Sequence, residues 1–119
     1  MNLNEYQEEA AVTAFLSPKL FQLNSHGEYV PVDFAYAGLG LGEAGEVQNK
    51  LKKIMRDFDG VVTDEMRTAV KGELGGLLWY VSQVAHKLGI PFDDVATYNI
   101  AQLRGRQERG TLKGNGDNR

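Results

Sequence analysis

The strongest constraint on the fold is a regular spacing of apolar residues in the second half of the chain. Between residues 66 and 88 they recur every three or four positions, at Met66, Val70, Leu74, Leu77, Val81, Val84 and Leu88. This spacing puts them on one face of an α-helix that packs against a core. A second series with the same spacing covers residues 47–58 and precedes the turn signal Asp59-Gly60. The sequence therefore predicts an antiparallel hairpin of two long helices.

A helical hairpin with one apolar side buries that side only when further helices cover it. We expect four helices in all, at residues 4–16, 33–58, 64–89 and 91–110. Asn4 and Asp33 are the expected N-caps of the first two helices, and Pro18 is expected to end the first. The predicted fold is therefore all-α, with a four-helix bundle-like core around the hairpin.

Outside the four helices, the sequence predicts little regular structure. Residues 17–33 have the composition of a loop, with at most a short strand pair near 29–32. Residues 1–110 are expected to form one helical domain. Residues 111–119 form a polar, glycine-rich tail that is either free or ordered by a partner or ligand.

Composition excludes several classes of protein. The 119-residue chain has no cysteine, which excludes disulfide scaffolds, thiolate zinc sites and cysteine nucleophiles. Its longest aliphatic and aromatic run, residues 77–81, is far shorter than the ~20 residues that span a bilayer. The N-terminus is acidic and polar, unlike a signal or transit peptide, and the net charge of −3 argues against a general nucleic-acid binder. We therefore expect a cytoplasmic protein that binds neither a membrane nor a nucleic-acid polymer.

Basic residues are nevertheless concentrated in two places. Nine of the thirteen lysines and arginines lie within residues 50–56 and 104–119. The two clusters are either solvated helix surfaces or sites that bind a small anion.

A local repeat places carboxylates on both helices of the hairpin. Residues 42–47 and 72–77 align with an offset of 30 residues, so that Glu43 matches Glu73 and Glu46 matches Gly76. At ~100° per residue, Glu43 and Glu73 both lie about 40° from the apolar residue four positions later, at the edge of the apolar face. Three carboxylates converging from two helices form a hard oxygen site typical of Mg²⁺ or Mn²⁺. The alternative is a set of solvated glutamates.

A lysine lies beside the glutamates of the repeat. Lys50 follows Glu46 by one helical turn, so it either neutralises that glutamate or binds a phosphate oxygen beside the metal.

The glycines of the repeat and Trp79 lie on the helix face opposite the apolar face. Each glycine costs up to ~1 kcal/mol of helix stability relative to alanine. A second packing surface would explain them, and we expect a homodimer or homotetramer.

In this order, these motifs resemble the MazG-like, all-α nucleoside triphosphate pyrophosphohydrolases, in particular the small single-domain members. The resemblance covers most of the chain. The matching segments are Leu41 to Val47, Lys50 with Lys52-Lys53, Arg56-Asp57, Glu73-Leu74-Gly75, Leu78 to Val81, Asn99, Leu103, Arg106, Arg109-Gly110 and Gly116 to Arg119.

The resemblance implies a Mg²⁺-dependent enzyme, with Mn²⁺ as a possible substitute, that hydrolyses a (d)NTP to the (d)NMP and pyrophosphate. It implies that Glu43, Glu46 and Glu73 bind the metal, and Gly76 stands where the family has an aspartate. Glu46 is the candidate to orient or deprotonate the attacking water, with a plain ligand role as the alternative. The candidate substrate-binding residues are Lys50, Lys53, Tyr80, Asn99, Arg106 and Arg109.

Several of these assignments have structural alternatives. Tyr80 and Asn99 are expected on the inner side of their helices, where either substrate contact or core packing would explain them. Arg106 and Arg109 either close over the phosphates with the tail or form a solvated helix end. The alternative functions are a phosphoribosyl-ATP pyrophosphohydrolase-like enzyme, and a nucleotide-binding helical protein with reduced catalysis owing to Gly76. The nucleobase is not predicted, because base recognition depends on loop geometry.

Overall fold

The structure is a computed structural model that describes residues 1–16 and 20–119, without the side chains of residues 15 and 16. The predicted helix end at Pro18 lies outside these residues. The protein is mostly helical, and its helices and strands are α1 Leu3–Val12, β1 Phe21–Leu23, β2 Tyr29–Pro31, α2 Asp33–Leu39, α3 Ala44–Phe58, α4 Asp64–Lys87 and α5 Phe92–Glu108. Two 3₁₀ segments, Thr13–Leu16 and Gly40–Glu43, extend α1 and join α2 to α3. The all-α class predicted from the sequence is therefore confirmed.

The turn between α3 and α4 lies at the predicted Asp59-Gly60, and α4 begins at the predicted residue 64. Asp59 and Gly60 both have positive φ, 53° and 77°, and turn the chain out of α3. The Thr63 side chain caps α4 by accepting a hydrogen bond from the Met66 N–H at 3.2 Å. Gly89 follows α4 with φ of 71°, a backbone conformation that glycine adopts without strain.

The two N-caps predicted at Asn4 and Asp33 are wrong. The cap of α1 is Asn2, whose side chain accepts from the Glu5 N–H while Glu5 accepts from the Asn2 N–H. Asn4 instead accepts from the Asp93 N–H at 2.8 Å, which joins α1 to α5. Asp33 is the first residue of α2 and binds Lys87 at 2.9 Å rather than capping its own helix.

The helix predicted over 33–58 is interrupted by the Gly40–Glu43 segment, which we call the 3₁₀ linker. A Cβ atom on Gly40 would overlap the ring of Tyr80 in α4. The close approach of that ring to the backbone therefore requires glycine, and glycine also lowers the helical preference of the segment.

Helix α4 is at the centre of the molecule and contacts α1, α2, α3 and α5. Among the described residues, the buried apolar side chains are few and mostly small: Ala10, Ala37, Ile54, Ala85 and Phe92. The predicted apolar series is only partly covered, since Leu51, Phe58 and Leu74 are about half-exposed. A single chain therefore leaves much apolar side-chain area in contact with water.

Helix α5 is attached at its beginning and then leaves the body of the protein. Its first residues bond to α1, through Asp93 to Leu3 and Asn4 and through Phe92 to Gln7. Further along, Tyr98 and Ile100 are 69% and 46% exposed. The chain has a radius of gyration of 18.1 Å, compared with about 13.5 Å for a compact chain of this length. Its accessible surface of 8911 Å² is about 2,500 Å² larger than the ~6,400 Å² expected for its mass.

The β1–β2 hairpin pairs Phe21 with Pro31 and Leu23 with Tyr29 in antiparallel register. It confirms the strand pair expected near residues 29–32. Among the described helices, none is both long enough and apolar enough to cross a membrane.

The ion pair between Asp33 and Lys87 should make stability depend on pH in a defined direction. The hydrogen bond from Lys87 holds the pKa of Asp33 below its usual range. Its contribution is therefore present above the usual aspartate pKa of ~4 and is lost as the pH falls through the lowered value. We expect Asp33→Asn to lower the free energy of unfolding by about 1–2 kcal/mol at pH 7, with a much smaller difference at pH 2.

Urea unfolding at several pH values measures this difference. Asp64→Asn is the control, because the Asp64–Arg67 pair is exposed to solvent and such pairs contribute little. An Asp33→Asn deficit that is equally large at pH 2 and pH 7 would contradict the electrostatic origin.

Candidate functional site

An ion pair between Lys50 and Glu73 joins α3 and α4, the two helices that carry the repeat. The Nζ atom of Lys50 in α3 lies 3.5 Å from Oε1 of Glu73 in α4, and the side chains are 36% and 27% exposed. The sequence led us to expect Lys50 beside Glu46 on its own helix. The structure instead places its ammonium against the Glu73 carboxylate of the facing helix, which links α3 to the second half of the repeat.

The other two glutamates lie at the start of α3. Glu43 is the last residue of the 3₁₀ linker and is half-buried, whereas Glu46 is in the first turn of α3 and is exposed. Within residues 1–16 and 20–119, no three acidic or histidine side chains lie close enough together to hold one metal ion. The convergence of Glu43, Glu46 and Glu73 on a cation therefore stays a prediction.

Gly76 is one turn after Glu73 and half-buried, and a Cβ atom there would have no neighbour within 4 Å. The structure therefore has space for a β-carbon at this position, where glycine supplies no carboxylate.

Tyr80 packs against the 3₁₀ linker. Its ring lies against the backbone at Gly40 and edge-on to the ring of Trp79, with ring centres 5.0 Å apart. The Trp79 Nε1–H donates to Oγ1 of Thr13 at 2.8 Å, which ties the segment after α1 to the same region. Tyr80 therefore holds the segment that carries Glu43, and packing accounts for this tyrosine within the single chain.

A small cavity of about 120 Å³ lies between α3 and α4. It is lined mostly by apolar side chains: Ile54, Phe58, Met66, Ala69 and Val70, together with Lys50 and Lys53. Both lysines predicted to offset phosphate charge thus border one cavity, beside the carboxylate of Glu73. In the same basic cluster, Arg56 makes two hydrogen bonds to Asp57, and these lower the pKa of that carboxyl.

The remaining predicted residues lie on α5. Asn99 is exposed, so the prediction that it faces a core is wrong for the single chain, because α5 diverges from the helical body. Arg106 and Arg109 contact the tail: Arg106 Nη2 donates to the main-chain oxygen of Asp117 at 3.0 Å, and Arg109 Nη2 to that of Arg119 at 2.8 Å.

The tail is folded onto the end of α5, and the residue that organises it is Arg119. Its guanidinium donates to the main-chain oxygens of Thr111, Leu112 and Gly116. Our sequence interpretation did not assign a role to Arg119. The available signal was an arginine following glycines in a short polar segment, a composition that permits a tightly folded loop.

The chain is similar to the Gene 37 protein of Mycobacterium phage L5, to which it is 48% identical over 86 residues. The match covers 71% of this chain and 75% of that protein. No family model and no solved structure matches the chain. The name of the phage protein states no activity, so function has to be argued from the residues.

Replacing Gly40 should reveal how tightly the 3₁₀ linker is held by Tyr80. We expect Gly40→Ala to lower the free energy of unfolding by about 1–3 kcal/mol, because the added methyl group forces the Tyr80 ring to move. Gly42→Ala is the matched control, since a Cβ there meets open space, and it should be neutral or stabilising by up to ~1 kcal/mol. Chemical denaturation compares the two variants, and equal effects would refute the proposed contact.

Proposed function

We propose that this chain, which belongs to the same family as the Gene 37 protein of Mycobacterium phage L5, is a Mg²⁺-dependent nucleoside triphosphate pyrophosphohydrolase. It would convert a ribo- or deoxyribonucleoside triphosphate to the monophosphate and pyrophosphate. The observation that carries the proposal is the contact of Lys50 with Glu73, which joins the two helices that carry the repeat. The resemblance to MazG-like enzymes supplies the class of reaction.

The Lys50–Glu73 ion pair is suited to a site in which each of the two side chains releases the other and binds a ligand instead. Both side chains are about one-third exposed and 3.5 Å apart, and partly exposed ion pairs of this kind contribute little to stability. Glu73 can therefore exchange the ammonium for a divalent cation at low cost. Lys50 would then be free to bind a phosphate oxygen, next to Lys53 on the same cavity.

The carboxylate oxygens of Glu43, Glu46 and Glu73 are the hard donors that suit Mg²⁺ or Mn²⁺. These three residues would hold the ion, which when bound offsets negative charge on the phosphates. Because Glu73 is engaged by Lys50, we expect ion binding and the release of Lys50 to be coupled.

Hydrolysis requires water to attack the α-phosphorus while charge builds on the phosphate oxygens. Glu46, exposed in the first turn of α3, is our candidate to orient that water and take its proton. The water oxygen bonds to the α-phosphorus, and the bond from that phosphorus to the bridging oxygen breaks, so that pyrophosphate leaves. Lys50 and Lys53 would stabilise the charge on the phosphates.

We also propose that the protein is a homo-oligomer, a dimer or a tetramer. The excess surface of about 2,500 Å² exceeds the ~1,000 Å² that each subunit of a stable homodimer typically buries. Four glycines of the repeat helices have open space around them in the single chain: Gly42, Gly45, Gly72 and Gly75. A second copy packed on α5 would complete the predicted bundle and bring Asn99 to a covered surface.

A nucleotide-binding protein with reduced catalysis is the second candidate function. Two observations favour it: Gly76 supplies no carboxylate, and the described residues form no ready cluster of metal ligands. This candidate predicts nucleotide binding with little or no release of pyrophosphate.

Pyrophosphate release tests the two candidates directly. The full chain should release pyrophosphate from at least one of the eight common NTPs and dNTPs when Mg²⁺ is present, and not when it is chelated. Glu43→Gln, Glu46→Gln and Glu73→Gln should each lower the rate at low Mg²⁺ by at least about tenfold, because an amide is a weaker Mg²⁺ ligand. Glu65→Gln is the control, since Glu65 is exposed in the first turn of α4.

The outcome separates the two candidates. A site variant that kept the full rate would lose its place in the proposed site. Nucleotide binding without pyrophosphate release from any of the eight nucleotides, or from phosphoribosyl-ATP, would favour the binding protein.

Light scattering tests the oligomer. We expect the wild-type chain to be at least a dimer at micromolar concentration, and Leu103→Glu to shift it toward the monomer. Leu103 is 38% exposed in the single chain, so a second copy could cover the rest of its side chain. Thr97→Glu, at an exposed position about 120° away around α5, is the control. A monomeric wild-type protein would refute the proposal.

A further inference from the structure

Helix α4 carries a glutamine whose side chain is fully buried and has no hydrogen-bond partner. Gln83 has no exposed surface, and neither its Nε2 nor its Oε1 atom bonds to any group in the part of the chain that the structure describes. Gln7, which is also buried, is by contrast bonded at both ends of its amide. Buried amides without a partner are rare and costly, because they lose the hydrogen bonds that water would make.

Two contacts hold α2 against the part of α4 that contains Gln83. At the start of α2, Asp33 binds Lys87 at 2.9 Å, and at its end Gly40 lies against the ring of Tyr80. The two helices therefore run antiparallel, with about two helical turns between the contacts on each of them.

Gln83 lies midway between these two contacts. It is about one turn of α4 from each of them, and the residue at the corresponding position of α2 is Ala37, which is 4% exposed. A methyl side chain offers neither a donor nor an acceptor, and the backbone groups in the middle of a helix are engaged within that helix. We infer that α2 keeps water from the Gln83 amide without replacing the hydrogen bonds that water would make.

Little else holds α2 in place. It has only seven residues, and no side chain caps its N-terminus. A helix of this length is not stable in water without tertiary contacts. Of its side chains only that of Ala37 is buried, whereas those of Phe34, Tyr36 and Leu39 are exposed. Segments with few buried apolar contacts are those that open locally in native proteins.

We propose that α2 opens away from α4 while the rest of the protein stays folded, and that the unpartnered amide of Gln83 drives this opening. In the docked arrangement the amide is buried and unpaired, and in the open arrangement water bonds to both of its ends. The Asp33–Lys87 ion pair and the Tyr80 ring oppose the opening, which is therefore transient.

The opening does not depend on the proposed hydrolase activity, because it involves none of the repeat glutamates directly. It would nevertheless affect them, since the 3₁₀ linker that ends at Glu43 continues directly from α2. A displacement of α2 would therefore move Glu43 relative to α4.

The reaction rate of a buried thiol tests the proposal, because the chain has no cysteine of its own. Ala37→Cys places one thiol on the covered side of α2, and Ala85→Cys places one at an equally buried position of α4. After normalisation to the rates in urea, the Ala37→Cys thiol should react with iodoacetamide at least about 50-fold faster, since only local opening exposes it. Adding Gln83→Met should slow that reaction at least about fivefold, because methionine has a similar size and needs no hydrogen-bond partner.

The two buried glutamines provide a matched comparison by urea unfolding of the chain without an introduced cysteine. Gln83→Met should raise the urea midpoint, because it removes an unpaired polar group. Gln7→Met should lower the midpoint, because it breaks the hydrogen bonds of Gln7 with Ile90 and Phe92. Hydrogen exchange of the amides of α2 should also be at least about fivefold slower in Gln83→Met than in the wild type.

Two kinds of result would overturn the proposal. Equal normalised rates for the Ala37→Cys and Ala85→Cys thiols would show that α2 opens only when the whole protein unfolds. A lowered urea midpoint in Gln83→Met, or unchanged exchange of the α2 amides, would show that the Gln83 amide does not drive the opening. An internal water bonded to that amide would give this second result.

Discussion

Helix α4 is the element on which the rest of the fold depends, because every other helix is positioned by contact with it. The corner after α4 is held by a buried amide, that of Gln7. Its Nε2 donates to the Ile90 oxygen at 2.9 Å, and its Oε1 accepts from the Phe92 N–H at 3.2 Å. A buried amide satisfied at both ends holds the backbone in one conformation. The direction in which α5 leaves the body, and with it the position of the tail, follows from this corner.

The 3₁₀ linker connects this packing to the candidate site. Tyr80 of α4 lies against Gly40, and Glu43 ends the same short segment. A 3₁₀ turn advances about 120° per residue rather than 100°, so a helical wheel drawn through residues 43–47 misplaces Glu43 relative to the apolar face. The packing of Tyr80 and the orientation of Glu43, a proposed metal ligand, therefore belong to one local arrangement.

The two basic clusters have different electrostatic environments. In α3, Lys50 is matched by the carboxylate of Glu73 and Arg56 by that of Asp57. In the tail, Arg106, Arg109 and Arg119 instead donate hydrogen bonds to main-chain oxygens. The first cluster therefore pairs its charges between side chains, whereas the second holds the backbone of the tail. Both belong to a chain whose overall charge is negative, which lowers its attraction for nucleic-acid polymers.

The sequence by itself determined the helical class and the α3–α4 hairpin. The start of α4 at residue 64 and the turn at Asp59-Gly60 could be predicted because each depends on residues within about one helical turn. At the start of the chain, both Asn2 and Asn4 have a capping-box spacing. Only the tertiary structure decided between them, since the Asn4 side chain is engaged by Asp93, far along the chain.

Distance along the chain also explains why several other features could not be predicted from the sequence. The break at Gly40 depends on a ring forty residues away, and the partner of Lys50 depends on how α3 faces α4. The exposure of Asn99 and the role of Arg119 follow from the path of α5 and the tail. Apolar periodicity indicates which face of a helix packs against the core, but it does not indicate which other helix covers that face. Contacts between residues distant in sequence were therefore decided by the packing of the helices.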